Sequence, residues 1–387
     1  MPDLISRMRR FGTTIFAEMS ALAREHDAIN LGQGFPDTDG PSEVLEAAVR
    51  GIREGDNQYP PGRGVPELLE AIAAHQQHYY GLRYDPASEI LVTVGATEAL
   101  SASLLALCEP GDEVIAFEPF YDVYDAAVTL AGAKLVPVRL HAPSFAFDPA
   151  ALEAAVTERT KVILLNTPHN PTGHVFGRAE LEQIAAVARR HDLVVVTDEV
   201  YEHLAYDGRE HLPIASLDSM RDRSILISSG GKTFSTTGWK VGWVCASPEL
   251  VTVVTTVKQF LTFVGPAPMQ RGIAAGLRLP DARIAEIRAG LAHQRDILVD
   301  ALRATGMEVY VPGGGYFVVA DVAPLGVASA LEFCRSLPER VGVAAVPMSV
   351  FYRNTEGVET LVRFAFSKRV EVLEEAARRL AALSPSH

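Results

Sequence analysis

The chain is poor in the features that mark secreted and membrane proteins. Its three cysteines, Cys108, Cys245 and Cys334, are far apart and never in C-x-x-C spacing, so neither a disulfide framework nor a zinc site is indicated. We expect them to be buried in a reducing compartment. No apolar run approaches the roughly 20 residues of a membrane span, and charges interrupt the N-terminus before a signal-peptide core develops. These absences predict a soluble, cytoplasmic protein without a membrane partner.

Positive charge is also scarce, with 35 lysines and arginines against 48 acidic residues and a net charge of −13. A nucleic-acid partner normally needs a concentrated basic surface, so we expect none, although a local basic site for a small anion stays open. Hydrophobic residues make up 48% of the chain and charged residues 21%, which is ordinary for a protein with a substantial core. The length of 387 residues predicts one large domain and a smaller one.

From about residue 90, short β-branched runs alternate with helical patterns, as in "EILVTVG" followed by "TEALSASLLALC". This alternation predicts an α/β fold whose central sheet is mainly parallel and covered on both faces. We place this large domain at residues 41–285. Residues 286–387 are typical of a smaller α+β domain, which the N-terminal segment 1–40 is expected to join.

Four conspicuous motifs follow predicted strands directly. They are "GATEA", "NTPHNPTG", "DEVYEH" and the lysine of "SILISSGGKT". Ligands of parallel α/β sheets bind at the carboxyl ends of the strands. The clustering of these motifs therefore predicts one site at that edge.

Lys232 has three interpretations. "GKT" matches the end of a P-loop, but Leu226 stands where that loop needs glycine, and the following residues are typical of a turn and a strand. Ser229 and Lys232 fit the acylated-serine pattern S-x-x-K, but its companions S-D-N and K-T-G are absent. The third interpretation is a covalent anchor for an aromatic aldehyde cofactor such as pyridoxal phosphate.

Such a cofactor makes demands that neighbouring residues meet. Its ring nitrogen needs a carboxylate to stay protonated, and Asp198 at a strand end suits that role. Its ring hydroxyl needs hydrogen-bond donors, for which Tyr201 and Asn170 are candidates. Each of these residues also has an ordinary structural explanation, as a helix cap, a half-buried aromatic or a turn residue. The combination is what indicates a site.

The phosphate group needs backbone N–H groups and cations. "VGATEAL" puts Gly95 and Thr97 between a strand and a helix N-terminus, where an anion is favoured. Ser229 and Lys240 could add a hydroxyl group and a positive charge.

Over essentially its whole length, the sequence resembles the class I/II aminotransferases of pyridoxal-phosphate fold type I. The resemblance is closest to the kynurenine, glutamine and methionine aminotransferase branch, and within it to actinobacterial proteins labelled N-succinyldiaminopimelate aminotransferase. The matching motifs, in chain order, are "NLGQGFPD", "QYPPGRGVPELLEAIA", "VTVGATEAL", "EPFYDVY", "NTPHNPTG", "TDEVYEHL", "SSGGKTFSTTGWKVGW" and "LVRFAFS".

The resemblance implies a role for each candidate residue. Lys232 holds the cofactor and moves the substrate proton, Asp198 pairs with the pyridine nitrogen, and Tyr201 and Asn170 contact the ring hydroxyl. The other implied cofactor contacts are those of Tyr121 and Val200 on the ring faces, of Gly95, Ala96, Thr97, Ser229 and Lys240 on the phosphate, and of Tyr59 from a second subunit of a homodimer.

For the substrate, the resemblance implies that Arg363 grips the α-carboxylate, helped by Asn170 and the backbone at Gly34. The strand pattern alone leaves a second interpretation, in which Arg363 is a charge on the solvent face of an edge strand. Lys240 departs from the arginine of many aminotransferases and matches the kynurenine-type branch. No metal site is predicted.

Two alternative functions stay open. A β-eliminating carbon–sulfur lyase can share the fold, because both reactions begin by removing the same α-proton. A ligand-sensing module of a transcription regulator can share the body as well. The sequence does not identify the amino donor.

Overall fold

The β-branched runs of the sequence form the strands of one large, twisted sheet. The computed structural model describes residues 5–12 and 14–383. Residues 1–4 and 13 of the predicted N-terminal segment, and residues 384–387, lie outside the described part. The large sheet has eight strands, which in spatial order are Ile90–Val94 (β2), Val241–Cys245 (β9), Ser224–Ser229 (β8), Val194–Asp198 (β7), Thr160–Asn166 (β6), Glu113–Glu118 (β3), Lys134–His141 (β4) and Ala146–Phe147 (β5).

The pairing within this sheet is mainly parallel, as predicted. β7 pairs in parallel with β6 and with β8, and β3 with β4 and with β6. β9 runs antiparallel between β2 and β8, and the short β5 is antiparallel to β4. The α/β fold class is confirmed.

Both faces of the large sheet are buried, because alternate residues of a strand point to opposite faces. In β6, Ile163 and Leu165 pack into one hydrophobic cluster, whereas Val162 and Leu164 pack into another. The helices of the protein are Ile15–Glu25 (α1), Ser42–Glu54 (α2), Pro66–Tyr80 (α3), Gly95–Leu107 (α4), Asp122–Leu130 (α5), Pro149–Ala154 (α6), Arg178–Arg190 (α7), Gly230–Thr233 (α8), Pro248–Lys258 (α9), Ala267–Leu277 (α10), Asp281–Ala304 (α11), Ala330–Val341 (α12) and Val370–Leu380 (α13). Within the described residues, none of them is long and apolar enough to cross a bilayer.

A smaller antiparallel sheet follows in the chain. Its strands, in spatial order, are Glu308–Tyr310 (β10), Phe317–Asp321 (β11), Leu361–Ala365 (β14) and Val346–Pro347 (β13). The N-terminal segment contacts this part of the protein, because its strand Ile29–Asn30 (β1) pairs in parallel with Val343–Ala344 (β12). The predicted domain limit between residues 285 and 286 falls inside α11, and the domain limits stay a prediction.

The three cysteines are buried and unpaired, as expected. More important for function is the common direction of β6, β7 and β8. Their carboxyl ends bring Asn166, Asp198 and Ser229 to one edge of the large sheet.

Candidate active site

A cavity of about 510 Å³ opens at this edge, between the large sheet and the small one. All but one of the residues predicted to bind cofactor or substrate line it; they are Gly34, Gly95, Ala96, Thr97, Tyr121, Asn170, Asp198, Val200, Tyr201, Ser229, Lys232, Lys240 and Arg363. The exception is Tyr59, whose side chain is 81% exposed and whose ring packs against Phe263 at 5.4 Å. The structure thus brings together residues spread over 330 positions of the sequence.

Lys232 lies in α8, a single helical turn that directly follows β8. Its Nζ donates a long hydrogen bond of 3.4 Å to the carbonyl oxygen of Gly34. It also lies 5.6 Å from the ring centroid of Tyr201 and 5.7 Å from that of Tyr316. The Tyr316 hydroxyl donates to the carbonyl oxygen of Lys232 and so helps to hold the turn. The amine has no carboxylate within ion-pair distance among the described residues.

Burial lowers the pKa of Lys232 to about 8. The nearby carboxylate of Asp198 opposes this shift, whereas the positive charges of Arg363 and Lys240 add to it. A lysine becomes a nucleophile only when it is neutral, and its ordinary pKa near 10.4 leaves very little neutral amine at pH 7. The surroundings of Lys232 therefore raise the reactive fraction.

Asp198 is the last residue of β7. Its Oδ2 accepts a 2.7 Å hydrogen bond from the Tyr124 hydroxyl, and its Oδ1 accepts one of 3.3 Å from the backbone N–H of Val200. Burial raises the carboxyl pKa, and these two hydrogen bonds and the charge of Lys232 oppose the rise. The result is an oriented carboxylate facing the cavity.

Tyr124 was not among the predicted site residues. It lies in the first turn of α5, three residues after Tyr121, and is almost fully buried. A spacing of three residues on a helix puts both rings on one side, and their centroids are 5.9 Å apart. That spacing in "FYDVY" was the available signal.

Asn166 was also missed, although it precedes the predicted "TPHNPTG" turn. Its Oδ1 accepts a 2.7 Å hydrogen bond from the backbone N–H of Asn170, and its Nδ2 donates a 2.8 Å hydrogen bond to the carbonyl oxygen of Asp198. This one amide therefore fixes both the turn and the end of the neighbouring strand.

The start of α4 lies against the side chain of Lys240. Gly95 opens the helix with a positive φ of 76°, and an added Cβ there would lie 2.9 Å from Cε and 3.0 Å from Nζ of Lys240. The absence of a side chain at Gly95 thus lets the Lys240 ammonium approach the helix N-terminus. The N-cap residue Val94 offers no side-chain hydrogen bond to that terminus, and its own N–H donates a 2.6 Å hydrogen bond to Glu98 Oε2. The remaining free N–H groups and the helix dipole favour an anion beside the ammonium. The Ser229 side chain faces the same space.

Arg363 lies in β14, which is an interior strand of the small sheet, and only 2% of the residue is exposed. The interpretation as a solvent-facing charge on an edge strand is wrong. Its Nη2 donates 2.9 Å to the carbonyl oxygen of Gly32, and its Nη1 donates 3.1 Å to Oδ1 of Asn170. The backbone contact is thus made at Gly32, whereas Gly34 lines the cavity and accepts from Lys232.

Aromatic rings surround the guanidinium of Arg363. Its Cζ lies 3.9 Å from the ring centroid of Phe317, 4.7 Å from that of Phe351 and 5.2 Å from that of Phe16. Burial lowers the pKa to about 10, so the group stays charged at neutral pH. A guanidinium has five N–H donors, and Nε has no hydrogen-bond partner among the described residues. Donors remain free for a planar anion.

Comparison with known proteins gives a consistent result. The sequence model of the family "Aminotransferase class I and II" matches residues 26–380. A Mycobacterium tuberculosis protein described as "Probable N-succinyldiaminopimelate aminotransferase DapC" is 50% identical, with 98% of each chain covered. A solved structure of N-succinyldiaminopimelate aminotransferase from that organism has a TM-score of 0.97, covering 99% of this chain and all of the other. Methionine aminotransferase of Escherichia coli is 40% identical, with 97% of each chain covered.

Proposed function

The chain belongs to the class I and II aminotransferases, and from this premise we propose that it transfers the amino group of N-succinyldiaminopimelate to a 2-oxo acid. The observation that supports this donor most is the 50% identity, over 98% of both chains, to a protein of that name. Enzymes of the family use pyridoxal phosphate and share fold type I. The alternative of a ligand-sensing module gains no support, since the full-length relatives at 50% and 40% identity are both described as aminotransferases.

The cavity fits pyridoxal phosphate in three respects. An amine with a lowered pKa, Lys232, can form the covalent link. The oriented carboxylate of Asp198 suits the protonated ring nitrogen, and the hydroxyl of Tyr201 and the amide of Asn170 suit the ring oxygen. The uncapped start of α4 suits the phosphate.

Further residues complete the proposed cofactor site. Ala96 and Thr97, in the first turn of α4, would donate backbone N–H groups to the phosphate, with Ser229 and Lys240 beside them. Tyr121 and Val200, which both line the cavity, would cover the two faces of the ring.

When bound, pyridoxal phosphate supplies an electron sink for the α-carbon and a carbon that carries the amino group between substrates. Lys232 would take the proton from the substrate α-carbon and return it to the cofactor, for which its lowered pKa is suited. Asp198 would keep the proton on the ring nitrogen. Tyr124 and Asn166 hold Asp198 in place through its side chain and its backbone.

Arg363 binds the α-carboxylate of the amino donor and of the oxo-acid acceptor. Two of its N–H groups are fixed by Gly32 and Asn170, so the plane of the guanidinium is set before substrate arrives. A planar, two-point contact orients the α-carbon better than a single charge.

We further propose a homodimer in which Tyr59 reaches the phosphate of the partner subunit. Tyr59 is 81% exposed and does not line its own cavity. It belongs to an exposed apolar surface with Phe260, Leu261 and Phe263, and such surfaces commonly mark protein interfaces. The predicted cytoplasmic location is consistent with this assignment and stays a prediction.

The donor is tested by steady-state kinetics. Purified enzyme with added pyridoxal phosphate is assayed with 2-oxoglutarate and one donor at a time: N-succinyldiaminopimelate, methionine, kynurenine or glutamine. We expect the highest kcat/KM with N-succinyldiaminopimelate. A higher value with methionine or kynurenine would overturn the proposed donor while leaving the aminotransferase assignment intact.

The β-eliminating lyase is distinguished in the same experiment. An S-substituted cysteine is incubated with the enzyme without an oxo acid, and pyruvate and ammonia are measured. We expect release far slower than amino transfer, because the full-length relatives at 50% and 40% identity are both described as aminotransferases.

A further inference from the structure

A second group of chemically active side chains lies outside the cavity, where α3 meets the turn after β7. It consists of His75 in α3 and of Glu202 and His203, which follow the cavity residue Tyr201. None of the three lines the cavity. Their residues are 3%, 6% and 8% exposed, respectively. The aminotransferase mechanism gives them no task.

Three potential ligand atoms converge in this cluster. The Nε2 atoms of His75 and His203 are 2.7 Å apart, and Glu202 Oε2 lies 4.0 Å from the first of them. All three atoms lie within 4.8 Å of one another. Two nitrogens and one carboxylate oxygen form the donor set of several zinc enzymes.

Among the described residues, Glu202 has no positively charged partner. Its Oε1 accepts a hydrogen bond from the Ser228 hydroxyl, which fixes the carboxyl group. The Tyr80 hydroxyl lies near the same carboxyl group, although Oε2 has no hydrogen bond of good geometry among the described residues. No described lysine or arginine lies within ion-pair distance of Glu202, whereas the neighbouring buried Glu199 is paired with His211 at 2.7 Å. A cation bound at Glu202 would therefore stabilise a carboxyl group that is otherwise buried without one.

The two imidazoles share one proton. The hydrogen bond between their Nε2 atoms requires one ring to donate and the other to accept, so one nitrogen already presents a lone pair, which is what an imidazole offers to a metal. Nδ1 of His75 has no hydrogen-bond partner among the described residues.

Two phenols cover the cluster and add no charge. The rings of Tyr79 and Tyr80 lie 4.9 and 5.9 Å from that of His75. Burial is the main cause that raises the pKa of both hydroxyls, with Glu202 adding to each shift. Tyr79 is partly exposed, so the cluster lies one side chain below the surface, within reach of an ion.

We propose that His75, Glu202 and His203 bind one divalent transition-metal ion of the zinc type. Two Zn–N bonds of about 2.0–2.1 Å at a tetrahedral angle require the two nitrogens to be about 3.3 Å apart. When the ion binds, the distance between the two Nε2 atoms therefore increases by roughly 0.6 Å. The proton that lies between them moves to the Nδ1 atom of the ring that carried it. The fourth position is left to water or to the Tyr80 hydroxyl. The ion would join α3 to the turn that carries Val200 and Tyr201.

The test uses the complete protein with its cofactor and without an affinity tag. It is incubated with a small excess of Zn²⁺, desalted, and analysed for metal by mass spectrometry; Co²⁺ is used in parallel because its visible bands report nitrogen and oxygen ligands. We expect about one ion per chain. Glu202→Gln, which keeps the shape and removes the charge, should lose at least nine tenths of the bound metal. His191→Asn, at the exposed His191–Glu153 pair, is the matched control and should keep it.

Wild-type protein that retains no more metal than a buffer blank overturns the proposal, whatever the variants do. Equal retention by wild type and Glu202→Gln overturns it as well, because the bound metal then lies elsewhere. In either case the two histidines form only a hydrogen-bonded pair. Cofactor absorbance, measured on every sample, shows that each variant is folded.

Discussion

Replacing Arg363 with lysine tests the proposed carboxylate site most directly. The substitution keeps one positive charge among the aromatic side chains of Phe16, Phe317 and Phe351. It removes the planar fork, because an ammonium group cannot donate two parallel hydrogen bonds to a carboxylate. It also leaves the carbonyl oxygen of Gly32 without its 2.9 Å donor.

The expected magnitude follows from the hydrogen bonds that are lost. A hydrogen bond to a charged group contributes about 1.5–3 kcal/mol, and each 1.4 kcal/mol is tenfold, so kcat/KM should fall about 10- to 150-fold. Since every amino donor and oxo-acid acceptor carries the same α-carboxylate, kcat/KM should fall by a similar factor for all of them. The cofactor absorbance spectrum should not change, because Arg363 is proposed to contact only substrate.

The assay measures kcat/KM for at least three amino donors and two oxo acids. Arg353→Lys is the control, since Arg353 binds Asp125 and the carbonyl oxygen of Leu135 outside the cavity. Wild-type kcat/KM values in Arg363→Lys for several donors would refute the assignment. A loss confined to one donor would instead show that Arg363 reads the side chain of the substrate.

Four further outcomes are expected. The apo-protein should bind pyridoxal phosphate covalently at a rate that rises with pH through about 8, since only the neutral amine of Lys232 reacts and its pKa is lowered to that value. After borohydride reduction, Lys232→Ala should carry no stable label, and a label on another lysine would contradict the assignment. Asp198→Asn should retain cofactor yet lose most single-turnover activity, because an amide cannot hold the ring-nitrogen proton; near-normal turnover rates would contradict this role. Tyr124→Phe removes a 2.7 Å hydrogen bond to Asp198 and should lower kcat by about fivefold for roughly 1 kcal/mol, with KM little changed. An unchanged kcat would show that the hydrogen bond is dispensable. Mixing inactive Tyr59→Phe and Lys232→Ala subunits should restore partial activity if the active sites are shared between subunits. A wild-type protein that sediments as a monomer and is fully active would exclude shared sites.

The sequence predicts the large sheet and the edge that bears the site because both depend on local patterns. Buried parallel strands are continuous apolar runs, and "LVVVTDE" and "SILISS" end where chemistry-bearing residues begin. Asp198 and Lys232 could therefore be placed at that edge from the residues alone, whereas their proposed roles depend on the combination of motifs and on the family resemblance. Arg363 could not, because the pattern of "LVRFA" is equally compatible with an edge strand and an interior one. Its burial depends on β11 and β13, which pair on either side of β14.

The residues that the sequence did not reveal are those whose partners are distant in the chain. The hydroxyl of Tyr124 reaches Asp198 across 74 positions, and the histidines of the buried cluster are separated by 128. No local sequence motif predicts such contacts, since each of these residue types is common in an ordinary core or turn. Only the packing of α5 and α3 against the turns after the strands brings them together.

The charge distribution explains how an acidic protein can serve anionic substrates. The chain carries a net charge of −13, yet the cavity collects the three cations Lys232, Lys240 and Arg363 against the carboxylates of Asp122 and Asp198. Both other cations lower the pKa of Lys232, so the charges that favour anions in the cavity also raise the neutral fraction of the amine. An anion beside Lys240 or Arg363 offsets only that part of the shift, because burial is its main cause. An amine whose pKa stays below its ordinary value while anions are bound is suited to take and return a proton near neutral pH.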